Sequence, residues 1–369
     1  MSRLLSTIAA GFLGVLAISP ASAQDKVVNV YNWSDYIDES VLEEFTKETG
    51  IKVRYDVFDS NEVLETKLLG GKTGYDVVVP TGSFLQRQIQ AGVFAKLDKS
   101  KLPNLEYQWP LISDRLAVYD PGNDYAVNYM WGTTGIGINV DKVKERLGDI
   151  PLNSWDIVFK PEILGKLKDC GVYMLDGPEE IIPTALRYLG LDPNSKDPKD
   201  IEAAGKLLAP IRKFIKKFDS SGYINALAGG DICIATGWSG DVLQAKARAE
   251  EAAEKTGKPP VNIEYIIPKE GALMWFDNFA IPKDAPHPEE ALAFINYMMK
   301  PEVAAKNSDY IAYASGSLGA QKFISKDVLE NPSIYPDKET QDKLFTVTTY
   351  PQKVQRVVTR TWGDFKRGK

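Results

Sequence analysis

The stretch that decides the fold runs from Val27 to Pro80 and reads VVNVYNWSDYIDESVLEEFTKETGIKVRYDVFDSNEVLETKLLGGKTGYDVVVP. It alternates three apolar runs with two helical patterns, each of which ends at glycine. In chain order these are a strand at 27–31, a helix from Ser40 that Gly50 stops, a strand at 51–57, a helix that Asn61 caps and Gly70-Gly71 ends, and a strand at 75–79. A β-α-β-α-β order predicts a parallel sheet with helices on both sides, and ligands of such sheets bind beyond the carboxyl ends of the strands.

A second unit of the same architecture, without sequence similarity to the first, follows further along the chain. Its predicted segments are strands at 171–175, 232–235, 263–267 and 278–281 and a helix at 181–189. Because one hydrophobic core rarely extends past roughly 250–300 residues, a chain of 369 residues predicts two α/β lobes. Segments 132–137 and 269–275 are the predicted crossings. We expect lobe 1 to comprise 24–134 plus 271–305 and lobe 2 to comprise 135–270 plus 306–369.

The first 23 residues have the pattern of a secretory signal peptide. Arg3 gives a positive start, an apolar run follows at 4–18, and Ala21-Ser22-Ala23 is typical of a cleavage site. A buried N-terminal helix is the alternative. Export would place Cys170 and Cys233 in an oxidising compartment, where they can pair, although two separate buried thiols are also compatible with the sequence.

Composition excludes several classes of function. A formal net charge of -6 argues against nucleic-acid binding, which requires a basic face. Two Cys and one His exclude a zinc ribbon and a His-cluster metal site, so no metal and no cofactor is predicted. The lone histidine, His287, is predicted in a helix-entry loop, with a catalytic triad as the alternative.

Aromatic rings stand beside carboxylates in three strand-end loops. These are Trp33-Ser34-Asp35-Tyr36, Trp238-Ser239-Gly240-Asp241 and Trp275-Phe276-Asp277, and Glu180 adds an acid at a helix start. Carboxylates form charge-assisted hydrogen bonds with ammonium groups, and aromatic faces attract the cation and cover its methylene stem. The combination therefore predicts a flexible diammonium ligand. For any single member the alternative is a core Trp or a helix-capping Asp.

Motifs for catalysis are missing from the sequence. It contains no G-x-S-x-G elbow, no H-E-x-x-H and no Walker A sequence. Acid–base chemistry needs only Asp and Glu, so an exported carboxylate-dependent hydrolase remains an alternative.

Six motifs carry a resemblance to a known family. They are VYNWSDYI at 30–37, YDVVVP at 75–80, YMWGTTGIG at 129–137, NALAGGDIC at 225–233, IPKEG at 267–271 and RTW at 360–362. The chain resembles the periplasmic polyamine-binding proteins of bacterial ABC transporters, with the putrescine branch the nearest. The resemblance covers nearly all of the chain beyond the signal peptide.

The resemblance implies a type II two-lobed solute-binding fold, with a mainly parallel sheet flanked by helices in each lobe and the ligand cleft between them. It also implies a disulfide between Cys170 and Cys233, a periplasmic location, no enzymatic activity and delivery of the ligand to an inner-membrane ABC permease. A monomer is expected. A solute-binding protein for another organic cation or an amino-acid-like solute is the alternative.

The resemblance also carries ligand-binding roles to positions of this chain. The implied residues are Trp33, Ser34, Asp35 and Tyr36 as a first wall, Thr81 and Ser83 as a hydroxyl loop, Glu180 as an acidic contact, Trp238 with Asp241, Trp275 and Phe276 before the carboxylate Asp277, and Tyr313 as a further aromatic wall. Trp275 departs from the Phe-Phe-Asp of putrescine binders and is similar to spermidine-preferring members. It favours spermidine, although Gly177 and Ser83 supply no extra bulk or charge.

Overall fold

A computed structural model describes residues 26–369 of the chain. The predicted signal peptide, 1–23, lies outside the described residues. Within 26–369, no helix is long and apolar enough to span a membrane.

Ten strands form one mixed sheet. They are β1 Val27–Trp33, β2 Lys52–Phe58, β3 Val77–Val78, β4 Ala126–Asn139, β5 Val172–Met174, β6 Lys217–Phe218, β7 Ile234–Trp238, β8 Ile263–Ile266, β9 Leu273–Ala280 and β10 Ala314–Ser315.

Helices of very different length connect the strands. They are α1 Glu39–Thr49, α2 Asn61–Gly70, α3 Gly82–Gln90, α4 Pro110–Leu116, α5 Val140–Leu147, α6 Asp156–Phe159, α7 Pro161–Leu164, α8 Pro178–Tyr188, α9 Pro198–Leu208, α10 Tyr223–Ala228, α11 Ser239–Thr256, α12 Pro288–Met298, α13 Pro301–Ile311, α14 Lys326–Leu329, α15 Lys338–Lys343 and α16 Gln352–Arg367. Short 3-10 turns lie at Lys99–Lys101, Pro103–Tyr107, Gly165–Leu167, Ala209–Phe214 and Gly319–Lys322.

The predicted β-α-β-α-β unit is present, with β1 pairing in parallel with both β2 and β3. Two local details differ from the prediction. The apolar run at 75–79 forms a strand of only two residues, Val77–Val78, and Pro80, which cannot donate to the ladder, prevents its extension beyond Val79. Ser60, not Asn61, caps α2 by accepting from the amide of Val63 at 3.3 Å. The amide side chain of Asn61 is used elsewhere, as described below.

The middle of the sheet is antiparallel, which the sequence did not predict. The order is β2-β1-β3-β9-β4-β7-β5-β6, with β8 and β10 pairing with β4. β9 inserts antiparallel between β3 and β4. β4 pairs with β9 as far as Thr134 and with β7 and β8 from there to Asn139. This change of partners falls inside the predicted crossing segment 132–137.

Two large clusters of buried side chains define the lobes. The cluster that contains Val30, Val78 and Phe279 surrounds β1–β3 and β9, and we refer to this part of the molecule as lobe 1. The cluster that contains Ile138 and Ile234 surrounds β5 and β7, and we refer to that part as lobe 2. A smaller cluster packs where β4 and β9 pair.

The predicted disulfide between Cys170 and Cys233 is confirmed. It joins the loop before β5 to the residue before β7, and both sulfurs are buried in lobe 2. His287 lies at the N-terminal end of α12, as predicted, where its backbone N–H donates to buried Asp76 at 2.6 Å.

Candidate ligand-binding site

A cavity of about 470 Å³ lies between the lobes and is lined by residues of both. Eleven of the thirteen predicted site residues line it: Trp33, Ser34, Asp35, Tyr36, Thr81, Glu180, Trp238, Asp241, Trp275, Asp277 and Tyr313. The other two, Ser83 and Phe276, line an adjoining cavity of about 330 Å³, which shares Thr81, Glu180 and Trp275 with the first.

The first wall of the cavity is the turn that follows β1. Trp33 ends the strand, and its indole N–H donates to the carbonyl of Val79 at 2.9 Å. Asp35 has a φ of 54°, in the left-handed region that Asp tolerates better than most residues. The indole of Trp33 also meets that of Trp238 edge to face, with ring centroids 5.6 Å apart. The aromatic contact therefore joins lobe 1 to the end of β7.

Asp277 supplies the lobe 1 carboxylate and is 4% exposed. The hydroxyl of Thr81 donates to its Oδ1 at 2.6 Å. Thr81 is itself fixed by the side chain of Asn61, which accepts from the Thr81 backbone N–H and donates to the Thr81 hydroxyl. The buried Tyr36 hydroxyl lies near the Asp277 carboxylate without a regular hydrogen bond to any residue described.

Asp241 supplies a lobe 2 carboxylate in the first turn of α11 and is 6% exposed. The hydroxyl of Tyr313 donates to its Oδ1 at 2.7 Å, and that of Tyr223 donates to its Oδ2 at 2.9 Å. The backbone N–H of Asp241 in turn donates to the Tyr313 hydroxyl at 3.1 Å. Tyr313 packs within the lobe 1 cluster and Tyr223 within the lobe 2 cluster, so the two lobes meet at this carboxylate.

Glu180 supplies the third carboxylate, which is partly buried, in the first turn of α8. Its Oε2 accepts from the hydroxyl of Thr134, at the point where β4 changes partners. Its Oε1 accepts from the indole N–H of Trp238 at 3.4 Å. Both contacts hold the carboxylate against the cavity wall.

Burial raises the pKa of each of these carboxyl groups to about 7. For Asp277 the negative charges of Glu180 and Asp241 act in the same direction, while hydrogen bonding by Thr81 opposes the rise in pKa. The residues described as lining the cavity also include Asp35 and Asp59 but no Lys, Arg or His. Buried acids without a basic partner are costly to ionise, so a cationic guest is the partner that this arrangement lacks.

Aromatic rings cover the space between the carboxylates. Trp275 meets Tyr313 edge to face with centroids 5.4 Å apart, and Tyr313 meets Tyr36 at 5.1 Å. The indole N–H of Trp275 is buried and has no partner in the part of the chain that the structure describes. Such rings present π faces and apolar edges to a methylene chain.

Sequence reasoning missed five residues that line the cavity: Phe58, Asp59, Ser220, Ser221 and Ile224. Phe58 ends β2 and Asp59 follows it, while Ser220 and Ser221 come shortly after β6. The strand-end rule that selected Trp33 would also have found Phe58 and Asp59, which follow the predicted strand at 51–57. It would not have found Ser220 and Ser221, because no strand was predicted at β6. Ile224 and the supporting Tyr223 lie on α10 and carry no such signal.

Among residues 26–369, no three or more His, Cys, Asp or Glu side chains are grouped so as to hold a metal ion.

The class of protein follows from this fold and site. The model of the bacterial extracellular solute-binding protein family matches residues 40–336, and the chain belongs to this family. The putrescine-binding periplasmic protein SpuD of Pseudomonas aeruginosa (strain UCBPP-PA14) is 54% identical to it over 357 residues, 96% of this chain and 96% of SpuD. The putrescine-binding periplasmic protein PotF of Escherichia coli (strain K12) is 51% identical over 367 residues, 99% of this chain and 98% of PotF.

Solved structures agree with the family. The spermidine/putrescine ABC transporter substrate-binding protein PotD from Streptococcus pneumoniae superposes with a TM-score of 0.73 at 31% identity, covering 93% of this chain and 99% of that one. The fold is therefore the two-lobed type II solute-binding fold.

Proposed function

We propose that this protein captures a polyamine in the cavity between its lobes and delivers it to an inner-membrane ABC permease. One observation carries the proposal: five acidic side chains and no basic side chain line an aromatic cavity, as far as the lining is described. Two of the acids, Asp241 and Asp277, are buried, and Glu180 is partly buried. The names of SpuD and PotF, which describe putrescine binding, support it.

A linear diamine fits the distribution of charge. One ammonium would bind the carboxylate of Asp277, while the other would lie between the carboxylates of Asp241 and Glu180. Each ammonium stabilises the ionised carboxylates and so offsets the free-energy cost of burying their charge. The indoles of Trp33, Trp238 and Trp275 would cover the methylenes between them.

The division into lobes follows the packing of buried side chains. The sequence assigned all of 306–369 to lobe 2, yet Tyr313 and Val347 pack in the lobe 1 cluster, whereas Tyr350 and Trp362 pack in the lobe 2 cluster. We therefore propose that lobe 1 extends to about residue 347 and that only the last segment, with α16, belongs to lobe 2. The cavity then opens and closes as the lobes move about β4 and β9.

Location and partners come with the function. We propose export through the signal peptide at 1–23 to the periplasm, and action as a monomer without turnover of the ligand. ATP would be hydrolysed by a separate subunit of the transporter. An exported hydrolase would instead convert its substrate, and an amino-acid-like solute would need a basic side chain for its carboxylate, which the described lining does not provide.

Thermal unfolding with a panel of solutes tests the proposal. Bound ligand stabilises the folded state by RT ln(1 + [L]/Kd), so putrescine or spermidine should raise Tm at micromolar concentration. Spermine and cadaverine extend the series, and glutamate, arginine and γ-aminobutyrate are the matched non-polyamine solutes. Calorimetry then gives Kd, and mass analysis of the recovered ligand checks that it is unchanged.

A rise in Tm with at least one polyamine, without conversion of it, supports the proposal. Failure of every polyamine to shift Tm contradicts it, as does recovery of a cleaved product. A larger shift with an amino acid than with any polyamine would favour the other class of solute.

A further inference from the structure

Arg87 lies outside the cavity and is held firmly by its own lobe. It is on α3, and its Nε and Nη2 meet the two oxygens of Glu65 on α2 at 2.5 and 2.9 Å. Its guanidinium also lies over the ring of Phe84, 3.8 Å from the centroid. A bidentate contact of this kind fixes both the position and the plane of the guanidinium.

The remaining nitrogen of Arg87 reaches across to lobe 2. Nη1 lies 2.8 Å from Oε1 of Glu179, and the two side chains are 21% and 8% exposed. Gln355, on α16, donates to the same oxygen at 3.2 Å. Because this ion pair is largely shielded from water, it is screened less by salt than a surface pair.

Both partners are attached to ligand-facing residues. α3 begins directly after Thr81, which donates to Asp277. Glu179 precedes Glu180 in the first turn of α8. Glu179 contacts Arg87 and lines the adjoining cavity but not the ligand cavity, whereas Glu180 lines both. The Arg87–Glu179 pair therefore joins the support of the lobe 1 carboxylate to the element that carries a lobe 2 carboxylate.

We propose that Arg87 is a positioning residue for ligand capture, whose ion pair with Glu179 favours the arrangement with the lobes together and Glu180 facing the ligand. The proposal rests on the proposed function, which it deepens. When only the closed arrangement binds tightly, the apparent Kd is the intrinsic Kd divided by the closed fraction. Separation of the lobes breaks the ion pair, so losing it lowers that fraction and speeds ligand release.

A second ion pair between the lobes is less suited to a test. Arg248 and Asp35 lie 2.6 Å apart with side chains 32% and 41% exposed. Asp35 also lines the cavity, so its substitution changes ligand contacts and the ion pair together. Arg87 is not among the residues that line the cavity.

Two substitutions that remove opposite charges distinguish loss of the ion pair from a general electrostatic effect on the bound cation. Arg87→Gln removes a positive charge near a cation site, and Glu179→Gln removes a negative one. If only the field mattered, the first would strengthen polyamine binding and the second would weaken it. We expect both to weaken it about three- to tenfold, mainly by raising the dissociation rate, and by the same factor for putrescine and spermidine.

The double variant, Arg87→Gln with Glu179→Gln, should bind no more weakly than the weaker single variant, because both changes break one pair. Lys101→Gln and Glu289→Gln are matched controls, since Lys101 and Glu289 form a 2.6 Å ion pair within lobe 1 that does not line the cavity. They should leave the Kd and dissociation rate unchanged. In small-angle scattering, the ligand-free Arg87→Gln and Glu179→Gln variants should show a larger radius of gyration than wild type.

Opposite shifts for the two single variants, unchanged affinity in both, or additive losses in the double variant would each overturn the proposal. Equal losses in the control variants would do the same. If the wild type binds polyamine but one of these contrary results is found, only the role of Arg87 is excluded and the proposed function stands. If the wild type binds no polyamine, the proposed function fails as well.

Discussion

The two principal carboxylates of the cavity are held in different ways. Asp277 projects from β9, in the middle of the sheet, and among residues 26–369 its carboxylate receives one regular hydrogen bond, from Thr81. Asp241 lies in the first turn of a helix, and each of its oxygens accepts from a tyrosine hydroxyl. The Asp277 carboxylate therefore has more acceptor capacity left for an ammonium, whereas that of Asp241 is oriented by donors from both lobes. The Asp277 end is therefore suited to bind the ammonium, whereas the Asp241 end receives hydrogen bonds from both lobes when they are in contact.

Removal of either carboxylate should have the largest effect. Asp277→Ala and Asp241→Ala should each weaken polyamine binding at least tenfold, because each leaves a buried ammonium without its charged partner. We expect the greater loss for Asp277→Ala, where fewer protein donors share the carboxylate. Isothermal titration calorimetry measures both. Wild-type affinity in both variants would overturn the site, and a greater loss for Asp241→Ala would reverse the comparison.

The pH should act on both ends in the same direction. In the ligand-free protein the carboxyl pKa values are raised to about 7, and an ammonium needs the ionised form. A single such group is about one-tenth ionised at pH 6 and about nine-tenths at pH 8, so affinity should fall about tenfold from pH 8 to pH 6 for each carboxyl group that must ionise. Titrations at pH 7 in two buffers of different ionisation enthalpy should show that binding releases protons.

The stability of the ligand-free protein should fall as the pH rises, whereas the affinity for the ligand should increase. The raised pKa values mean that the folded state holds protons which the unfolded chain has lost, between about pH 4 and pH 7. This contribution to stability is complete below the unfolded pKa values and is lost as the pH rises through about 7. The increase in Tm caused by polyamine should therefore be larger at pH 8 than at pH 6. An increase that does not depend on pH would contradict the assigned pKa values.

The ends of the cavity differ also in how far the sequence predicted them. Trp33, Trp238 and Trp275 each lie within three residues of an Asp, a pattern that is local in the chain. The predicted strand-end loop is wrong for Trp275 and Asp277, which lie inside β9 because that strand begins at Leu273 and not at the predicted residue 278. Tyr313 came from the family resemblance. Tyr223 gave no signal, because its contact with Asp241 depends on how α10 packs against α11. The carboxylates were thus predictable, whereas one of the donors that orient them was not.

The fold shows the same limit. The parallel pairing of β1 with β2 and β3 follows from apolar runs separated by short helices, so the sequence predicted it. The insertion of β9 between β3 and β4 depends on a chain that returns from lobe 2 after more than a hundred residues, and no local pattern specifies that pairing. At Ser60-Asn61, both residues are good helix caps. The choice of Ser60 is understood only once Thr81 is seen to engage Asn61.

The donors that hold each carboxylate provide a finer comparison. Thr81→Val leaves Asp277 without its regular donor, whereas Tyr313→Phe leaves Asp241 with the Tyr223 hydroxyl. These hydrogen bonds lower the carboxyl pKa against the effect of burial, so both variants should raise it further and weaken binding at pH 7. We expect a loss of about threefold for Thr81→Val and about twofold for Tyr313→Phe. Calorimetry at pH 7 and pH 8.5 measures this, and the losses should shrink at the higher pH.

Ligand preference, more than overall affinity, should depend on Trp275, which lies between the two ends and would contact the methylene chain of the ligand more than its charged groups. Its resemblance to spermidine-preferring members and the putrescine-binding names of SpuD and PotF point to different ligands. An indole offers more π surface than a phenyl ring, and such a contact is worth about 0.5–1 kcal/mol. Trp275→Phe should therefore change the ratio of the spermidine and putrescine Kd values about two- to fivefold in favour of putrescine. Since neither carboxylate is altered, the pH dependence should stay as in wild type. An unchanged ratio would mean that ligand length is selected elsewhere in the cavity, and a changed pH dependence would mean that the indole acts through a carboxylate.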